Sequence, residues 1–475
     1  MEIFERLAAQ GAMIERLVSD SRRAAPGAAF FAYPGEKADG RGFIGDAVHR
    51  GASAVVWEPA GFDWRGQWRV PNLPVPQLKQ RASAIAGEFH GDPSHALWMC
   101  GVTGTNGKTS CSQWIAAALS RAGAKSGVIG TLGSGYPDAL DDLGNTTPDA
   151  LELQARLARF RDDGARAVAM EVSSHGLVQG RVSGVRFACA LFTNLSQDHL
   201  DYHGTMEAYA EAKARLFAMP GLKAAVLNLD DAMGARLASR LRGQLRTIGY
   251  TLHAASGADE VLSLDDALEL SSPWGAARLV TAQVGRFNLS NVLGVIGCLI
   301  AYGASFREAM ALAADLPPVP GRMEKVADDP LVIVDYAHTP DALERVLDTL
   351  RPVARQRGGE LVVVFGAGGD RDPTKRPLMG AAASRLADRV IITSDNPRSE
   401  DPARIIDAVA AGVSGAAQRE VDRRRAIAMA VREAAAQDVV LIAGKGHESY
   451  QEIAGRRFPF SDQAVARQAV KERGA

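Results

Sequence analysis

From Leu97 onward the chain alternates apolar runs with stretches of helical spacing. The runs at 97–102, 126–130, 165–171, 186–193 and 224–228 predict strands with helices between them, the pattern of a mostly parallel sheet covered on both faces. The segment LPPVPGR (316–322) breaks this rhythm and predicts a hinge. A second series follows it, with strands near 331–335, 361–365, 389–393 and 438–443. Residues 1 to about 88 show no such order: they read as irregular, rich in Gly and Pro, and end in PNLPVPQL before a short helical pattern. The expected architecture is α/β in three domains, spanning 1–88, 89–320 and 321–475. No short internal repeat or low-complexity tract interrupts it.

A length of 475 residues is too great for one ordinary core and agrees with three domains. A formal net charge of -1 without a long basic run gives no electrostatic reason to expect nucleic acid. The four cysteines, Cys100, Cys111, Cys189 and Cys298, lack CxxC spacing and read as reduced thiols rather than a disulfide framework or zinc site. MEIFERLAAQ carries charges where a signal peptide needs an apolar core, and the apolar stretch 292–304 is too short to span a bilayer. A cytoplasmic protein without membrane insertion is expected.

LWMCGVTGTNGKTSC (97–111) reads as strand, glycine turn and helix. Gly104, Thr105, Asn106 and Gly107 form the turn, whose backbone N–H groups would point at phosphate oxygens. Lys108 would neutralise the β and γ phosphates, and the Thr109 hydroxyl, followed by Ser110, would hold Mg²⁺ at the start of the helix. The strict GxxxxGK pattern would need glycine where Val102 stands, so only the flanking strand and helix carry the reading.

In TMEAYAEAKARLFAM (205–219), Met206, Tyr209, Lys213, Leu216 and Phe217 recur at spacings of three and four, placing Lys213 on the apolar stripe. Two readings stand: a lysine snorkelling from the stripe's edge, or a desolvated amine of lowered pKa that can act as a nucleophile. Upstream, Asp198, His199, Asp201 and His203 follow an apolar run. The spacing of His199 and His203 brings zinc into consideration, while magnesium suits a nucleotide site better. Glu171 ends the strand AVAME, where an acid can face a metal. The later strands end in DYAH, GAGGDRD, TSDNPR and GKGHE, a clustering that marks a second site beyond strand carboxyl ends.

GTNGKT, EVSSHGL, NLSQDHLDYHG with the later Lys213, GRME, VDYAHTPDAL, GGDRD and DNPR together resemble the Mur ligases, in one order along essentially the whole chain. The resemblance is closest to the branch that adds diaminopimelate. It implies an N-terminal domain for the uridine nucleotide, a central P-loop ATPase domain and a C-terminal Rossmann-like domain for the incoming amino acid. It implies that Lys213 is carbamylated and joins Thr109, Glu171 and His199 as an Mg²⁺ ligand, with Lys108, Lys213, His199 and Glu171 as the catalytic set. Asn288, Arg322 and Asp335 match further ATP contacts. Ser19, Ser21, Asn145, Thr146, Thr147, Ser173, Gln179 and Arg181 match contacts to the precursor UDP-N-acetylmuramoyl-L-alanyl-D-glutamate. Arg371, Asp395, Asn396, Pro397, Arg398, Gly444 and Glu448 match contacts to meso-diaminopimelate. At Glu36, Lys37 and Ala38 the family's uracil-side contacts often have other side chains, and no role is assigned there.

The implied chemistry is ATP-dependent amide formation through an acyl phosphate, by a monomer. Two relatives in chemistry remain as alternatives, an L-lysine-adding homologue and a folylpolyglutamate synthetase-like ligase, although the latter lacks the combination of NTTP and DNPR. A regulatory GTPase is disfavoured because no NKxD guanine-reading motif occurs; the nearest run is NLDD at 228–231.

Overall fold

The computed structural model describes residues 2–36, 38–141, 145–254 and 260–473. Lys37 lies outside the described residues. Three large sheets and one two-stranded hairpin organise the chain.

The first sheet corrects the reading of residues 1–88 as irregular. Strands β1 (Arg16–Val18), β2 (Ala28–Ala32), β3 (Ala54–Trp57) and β4 (Asn72–Pro74) pair in parallel in that order. The strands are three to five residues long, and β2 and β3 are buried throughout, so no polar alternation betrays them. Phe31, Val56 and Leu73 pack towards the helix Leu78–Phe89, while Phe30, Val55 and Trp57 face a second cluster with Ile44 and Trp68.

The second sheet has 11 strands, β5 (Trp98–Thr103) to β15 (Gly275–Arg278). Its centre is parallel, in the order β12 (Arg246–Thr251), β11 (Ala224–Asn228), β10 (Cys189–Phe192), β5, β9 (Ala167–Glu171) and β6 (Ser126–Gly130). Five of these are the expected strands, with 186–193 shortened to β10; β12 is not among those expected. The strands β7 (Gly133–Tyr136), β8 (Ala139–Asp141), β13 (Val261–Leu264), β14 (Glu269–Ser272) and β15 extend it on either side. The chain passes from β5 to β6 and β9 on one side, then to β10 and β11 on the other. This reversal leaves a crevice beyond the carboxyl end of β5, where open α/β sheets bind ligands.

The apolar stretch 292–304 falls largely in the helix Arg286–Tyr302, which packs in the core against β10, β11 and the helix Lys108–Arg121. Among the described residues, no helix is long and apolar enough to cross a membrane. All four cysteines are buried, and Cys100, Cys189 and Cys298 bring their sulfurs within 4.8 Å of one another, a convergence invisible in their spacing.

The third sheet runs β16 (Glu324–Ala327), β17 (Leu331–Asp335), β21 (Val439–Ala443), β18 (Leu361–Phe365), β19 (Arg389–Thr393) and β20 (Gln418–Glu420), with only β16 antiparallel. Apolar clusters cover both faces, built on Leu343, Leu347 and Met379 on one and Ile427, Val431 and Val465 on the other. The hairpin of β22 (Tyr450–Ile453) and β23 (Arg456–Pro459) follows. The mixed, largely parallel α/β architecture agrees with the fold class expected from the sequence.

Candidate active site

The turn after β5 leads into the helix Lys108–Arg121. Gly104 adopts φ 149°, and a Cβ there would stand 1.9 Å from Thr193 Oγ1, so a side chain is sterically excluded. Thr193 Oγ1 in turn donates to Asn106 O at 2.6 Å, and Asn194 Oδ1 accepts from Asn106 N at 3.0 Å. The two residues just after β10 thus brace the turn. Lys108 folds over it, with Nζ donating to Gly104 O at 2.9 Å and Thr105 O at 2.8 Å. Burial holds its pKa below the ordinary lysine value, against the opposing pull of Glu171 and Asp198.

Glu171 ends β9, buried beside the turn. Its Oε2 accepts from Thr109 Oγ1 at 3.1 Å, and its Oε1 accepts from Thr131 N at 2.7 Å. Thr109 Oγ1 also accepts from Arg322 Nη2 at 3.0 Å, a contact that reaches from the third block into the second.

Lys213 is 1 % exposed, which excludes snorkelling. Its Nζ lies 4.3 Å from the Tyr209 ring centroid and donates to Gly104 O at 2.7 Å. One carbonyl therefore accepts from both Lys108 and Lys213. Burial first, and then the neighbouring Lys108 charge, hold the Lys213 pKa well below the ordinary lysine value.

His199 has φ 55° and precedes the short helix Leu200–His203, so it does not share a helical face with His203. His203 Nε2 instead meets Ser174 Oγ at 2.9 Å, and the His175 ring lies 4.9 Å from that of His199 and 5.5 Å from that of His203. Among the described residues His199 and His203 belong to no convergent group of three His, Cys, Asp or Glu ligands; the one such group is the cysteine trio. Burial pushes the His199 pKa down to about 3, despite Asp198.

A cavity of about 220 Å³ joins these residues to the third block. Asn106, Lys108, Thr109, Glu171 and His199 line one side, with Asn288 on the helix Arg286–Tyr302; Arg322, Asp335 and His338 line the other. Asp335 ends β17, accepts from Met323 N at 2.7 Å and Ala337 N at 2.8 Å, and has its pKa raised by burial. Arg322 stacks over Tyr336 at 4.3 Å. Asp198 stands 3.4 Å from His199, 3.9 Å from His338 and 3.9 Å from Lys375. Burial opposes its ionisation, but these neighbours outweigh it and bring the pKa down to about 2. Asn106 Nδ2 completes the seam by donating to Asp341 Oδ2 at 3.2 Å.

The positions matched to the uridine precursor fall into two groups. Ser19 and Ser21 line a concavity on the first sheet with Phe30, Tyr33 and Phe43. Thr147 and Ser173 meet at the end of β9: Thr147 Oγ1 donates to Glu171 O at 3.0 Å and accepts from Ser173 N at 3.1 Å. Thr146 Oγ1 lies 3.0 Å from Thr131 Oγ1, while Asn145 is exposed. Arg181 donates to Gln179 Oε1 at 2.8 Å and Thr147 O at 2.6 Å. Tyr202 OH bridges the groups by donating to Glu36 Oε1 at 2.6 Å.

In the third block, Asp395, Asn396 and Pro397 are buried beyond β19, and Arg398 turns outward with φ 52°. Arg398 N donates to Glu452 O at 3.0 Å, and its guanidinium donates to Gly369 O at 2.6 Å. Arg371 is exposed. Gly444 has φ 116°, and a Cβ there would approach Asp395 Oδ2 to 2.6 Å. Glu448 Oε2 accepts from Asn396 Nδ2 at 2.8 Å and from the buried Lys445 Nζ at 2.6 Å.

Three family models tile the chain. Those described as Mur ligase family catalytic domain, Mur ligase middle domain and Mur ligase glutamate ligase domain match residues 13–90, 102–299 and 321–446. The chain is 51% identical over 470 residues to UDP-N-acetylmuramoyl-L-alanyl-D-glutamate–2,6-diaminopimelate ligase of Chromobacterium violaceum, covering 97% of this chain and 95% of that one. It belongs to the Mur ligase family. The ligase of the same name from Pseudomonas aeruginosa is 49% identical over 467 residues, covering 96% of this chain and 95% of that one. Among solved structures, a ligase of this name superposes with TM-score 0.66 at 38% identity, over 97% of this chain and 96% of that one. Folylpolyglutamate synthase of Mycobacterium tuberculosis, solved with ADP and AMPPCP, shares the fold at TM-score 0.60 and 19% identity, over 77% of this chain and 92% of that one.

In this Mur ligase the residues that sequence reasoning left unassigned are those whose role depends on partners brought together only by the fold. Asp198 stood in view in SQDHLD, but His338 and Lys375 reach it from across the seam. Lys445 sits inside GKGHE, and only its burial marks it. Asn194 gave no signal, since its work is to brace a turn 88 residues earlier.

Proposed function

We infer that the chain catalyses ATP-dependent addition of meso-2,6-diaminopimelate to UDP-N-acetylmuramoyl-L-alanyl-D-glutamate, a step of peptidoglycan synthesis. The observation that carries this reading is the seam itself: a phosphate loop and an acid–hydroxyl pair face Arg322, Asp335 and His338 across one cavity, in a chain similar throughout to ligases of that name.

ATP would lay its phosphates on residues 104–110, and its nucleoside would extend beside Asn288 into the adjoining cleft of about 640 Å³ lined by Asn228, His253, Phe287 and Arg345. The D-glutamyl γ-carboxylate attacks the γ-phosphorus, ADP departs, and an acyl phosphate forms. The amine nitrogen of the amino acid then attacks the acyl carbon, phosphate leaves, and the nitrogen gives up a proton. Lys108 and Arg322 bring positive charge to this meeting of anions, so catalysis is mostly positioning and electrostatics. Because groups from both blocks line the cavity, closure of the third block precedes chemistry.

The donor set suits magnesium: Thr109 and Glu171 offer oxygen atoms 3.1 Å apart beside the phosphate loop. These two would hold Mg²⁺ with His199 and a carbamate on Lys213, and bound there the ion would neutralise phosphate charge. Carbamate formation joins the Lys213 nitrogen to the carbon of CO₂ and releases the nitrogen's proton. We further assign residues 1–88 to the uridine nucleotide through Ser19 and Ser21. Asn145, Thr146, Thr147, Ser173, Gln179 and Arg181 receive the muramoyl peptide, and residues 321–475 take the amino acid. A cytoplasmic monomer is the form in which this would operate.

Meso-diaminopimelate differs from L-lysine by one carboxylate on the far carbon, so selectivity needs a fixed cation. Arg398 supplies a planar fork at a turn fixed by Pro397, and Glu448 can accept from an ammonium. Arg371, Asp395, Asn396 and Gly444 complete the proposed subsite. Arg398→Ala is expected to lower kcat/KM for meso-diaminopimelate at least about tenfold, as loss of a paired charge typically costs about 2–5 kcal/mol. L-lysine, poor for the wild type, should gain relative to it in the variant. Steady-state kinetics with both amino acids check this; unchanged discrimination would remove Arg398 from the site.

A further inference from the structure

Lys445 lies two residues beyond β21 and is 0 % exposed. Its Nζ donates to Glu448 Oε2 at 2.6 Å and to Asn396 Oδ1 at 2.9 Å. Asn396 Nδ2 donates to the same Oε2 at 2.8 Å, and Glu452 N donates to Asn396 Oδ1 at 2.9 Å. The two donors on Asn396 Oδ1 fix which way the amide points. The two donors on Glu448 Oε2 fix the carboxylate's rotation and leave Oε1 as the oxygen that no described protein group engages at this distance. The turn carrying Asn396 and the turn carrying Glu448 are therefore tied through one ammonium.

Behind this triangle, Arg423 and Asp462 form a second fully buried pair at 2.7 Å, and Arg423 Nη2 donates to Ala443 O at 2.9 Å. The strand end on which Lys445 stands is thereby held independently of the triangle. Burying an ammonium costs several kcal/mol of desolvation that one carboxylate does not reliably return, and an apolar side chain of similar length would fill the space without that cost. Packing alone does not account for a lysine here. Geometry does: a cation with three rotatable donors can hold an amide oxygen and a carboxylate oxygen at once.

We propose that Lys445 is a positioning residue for the incoming amino acid, holding Asn396 and Glu448 so that Glu448 Oε1 meets the substrate's ammonium while Arg398 meets its carboxylate. The proposal rests on the assignment of this subsite to the amino acid. With Lys445 in place, the subsite's Glu448 charge is already balanced, so the ligand it receives is a zwitterionic amino-acid end rather than a bare amine. A bare ammonium would be drawn to an unbalanced carboxylate; here it gains only if its own carboxylate also reaches Arg398.

The test is steady-state kinetics of the full-length enzyme with Lys445→Met, Lys445→Arg, Glu448→Gln and the double variant Lys445→Met/Glu448→Gln, each with its melting temperature. Lys445→Met should raise KM for meso-diaminopimelate at least tenfold, with kcat lowered less than threefold and KM for ATP and for the uridine precursor within twofold of wild type. Lys445→Arg, which keeps a cation, should recover most of that loss. The double variant removes both charges and so leaves no unpaired carboxylate; because Asn396 also loses its hold, its amino-acid KM should exceed that of Glu448→Gln by at least about threefold, and equal KM values for the two would overturn the proposal even if Lys445→Met alone does not fold. A folded Lys445→Met variant with unchanged amino-acid KM, or one that lowers kcat equally with every substrate's KM unaltered, would make Lys445 a core ion pair only. If Glu448→Gln itself leaves the amino-acid KM unchanged, the subsite assignment fails instead.

Discussion

Replacing Lys108 by alanine is expected to lower ligation by about 10³-fold while leaving the fold intact. The ammonium stands on Gly104 O and Thr105 O, and Lys213, which shares Gly104 O, does not line the cavity as Lys108 does. The loop does not depend on Lys108 for its shape. Asn194, Thr193 and Thr105 hold it through hydrogen bonds to neighbouring backbone, and Gly104 O keeps Lys213 as a donor after the substitution. The stability change should therefore stay below about 1 kcal/mol. ADP release in the presence of both co-substrates, measured beside a melting curve, checks both halves. A folded variant turning over near the wild-type rate would remove Lys108 from the site.

The second large effect is expected at Lys213. Alanine there should lower activity on the order of 10²-fold or more, because the amine is the only group on its helix that reaches the loop carbonyl at Gly104. Burial holds the Lys213 pKa well below the ordinary lysine value, and the Lys108 ammonium on the same carbonyl acts in the same direction. A neutral amine is the form that adds CO₂. Short carboxylic acids supplied in solution should then restore part of the activity of the alanine variant by standing in for the proposed carbamate. Restoration by acetate or formate, together with an unmodified mass for the variant and a CO₂-dependent signal for the wild type, is the expected pattern. Equal activity of the wild type with and without CO₂, and no restoration by any acid, would leave Lys213 as an ordinary buried lysine.

The features legible in the amino-acid sequence alone are those that local chemistry encodes. The phosphate loop was legible because its strand, its glycines and its helix are contiguous from 97 to 121, and Glu171 was legible because it ends a run of apolar residues. The four principal strands of the third sheet were legible for the same reason, each a short apolar run with turn chemistry behind it. The N-terminal sheet was not, since strands such as AAFFA are buried on both faces and give neither alternation nor length. Lys213 could be placed on the apolar stripe, but whether its amine escapes to solvent depends on what covers the helix, and Gly104 lies elsewhere in the fold while Tyr209 lies on the preceding turn. Asp198, His338 and Lys375 come from separate segments and gain meaning only from their meeting at the seam. Lys445 looks like one more polar residue of a glycine-rich turn until its burial and its two partners are seen.

The central claim is that one site joins ATP, a uridine-linked muramoyl dipeptide and meso-diaminopimelate. It is tested most directly by ADP release from purified enzyme with each substrate omitted in turn, and with L-lysine in place of meso-diaminopimelate. Full turnover is expected only with ATP, UDP-N-acetylmuramoyl-L-alanyl-D-glutamate and meso-diaminopimelate together, yielding one tripeptide product per ADP and little product from L-lysine. Turnover of ATP that ignores the uridine precursor, or tripeptide formation that proceeds as fast with L-lysine, would contradict the account.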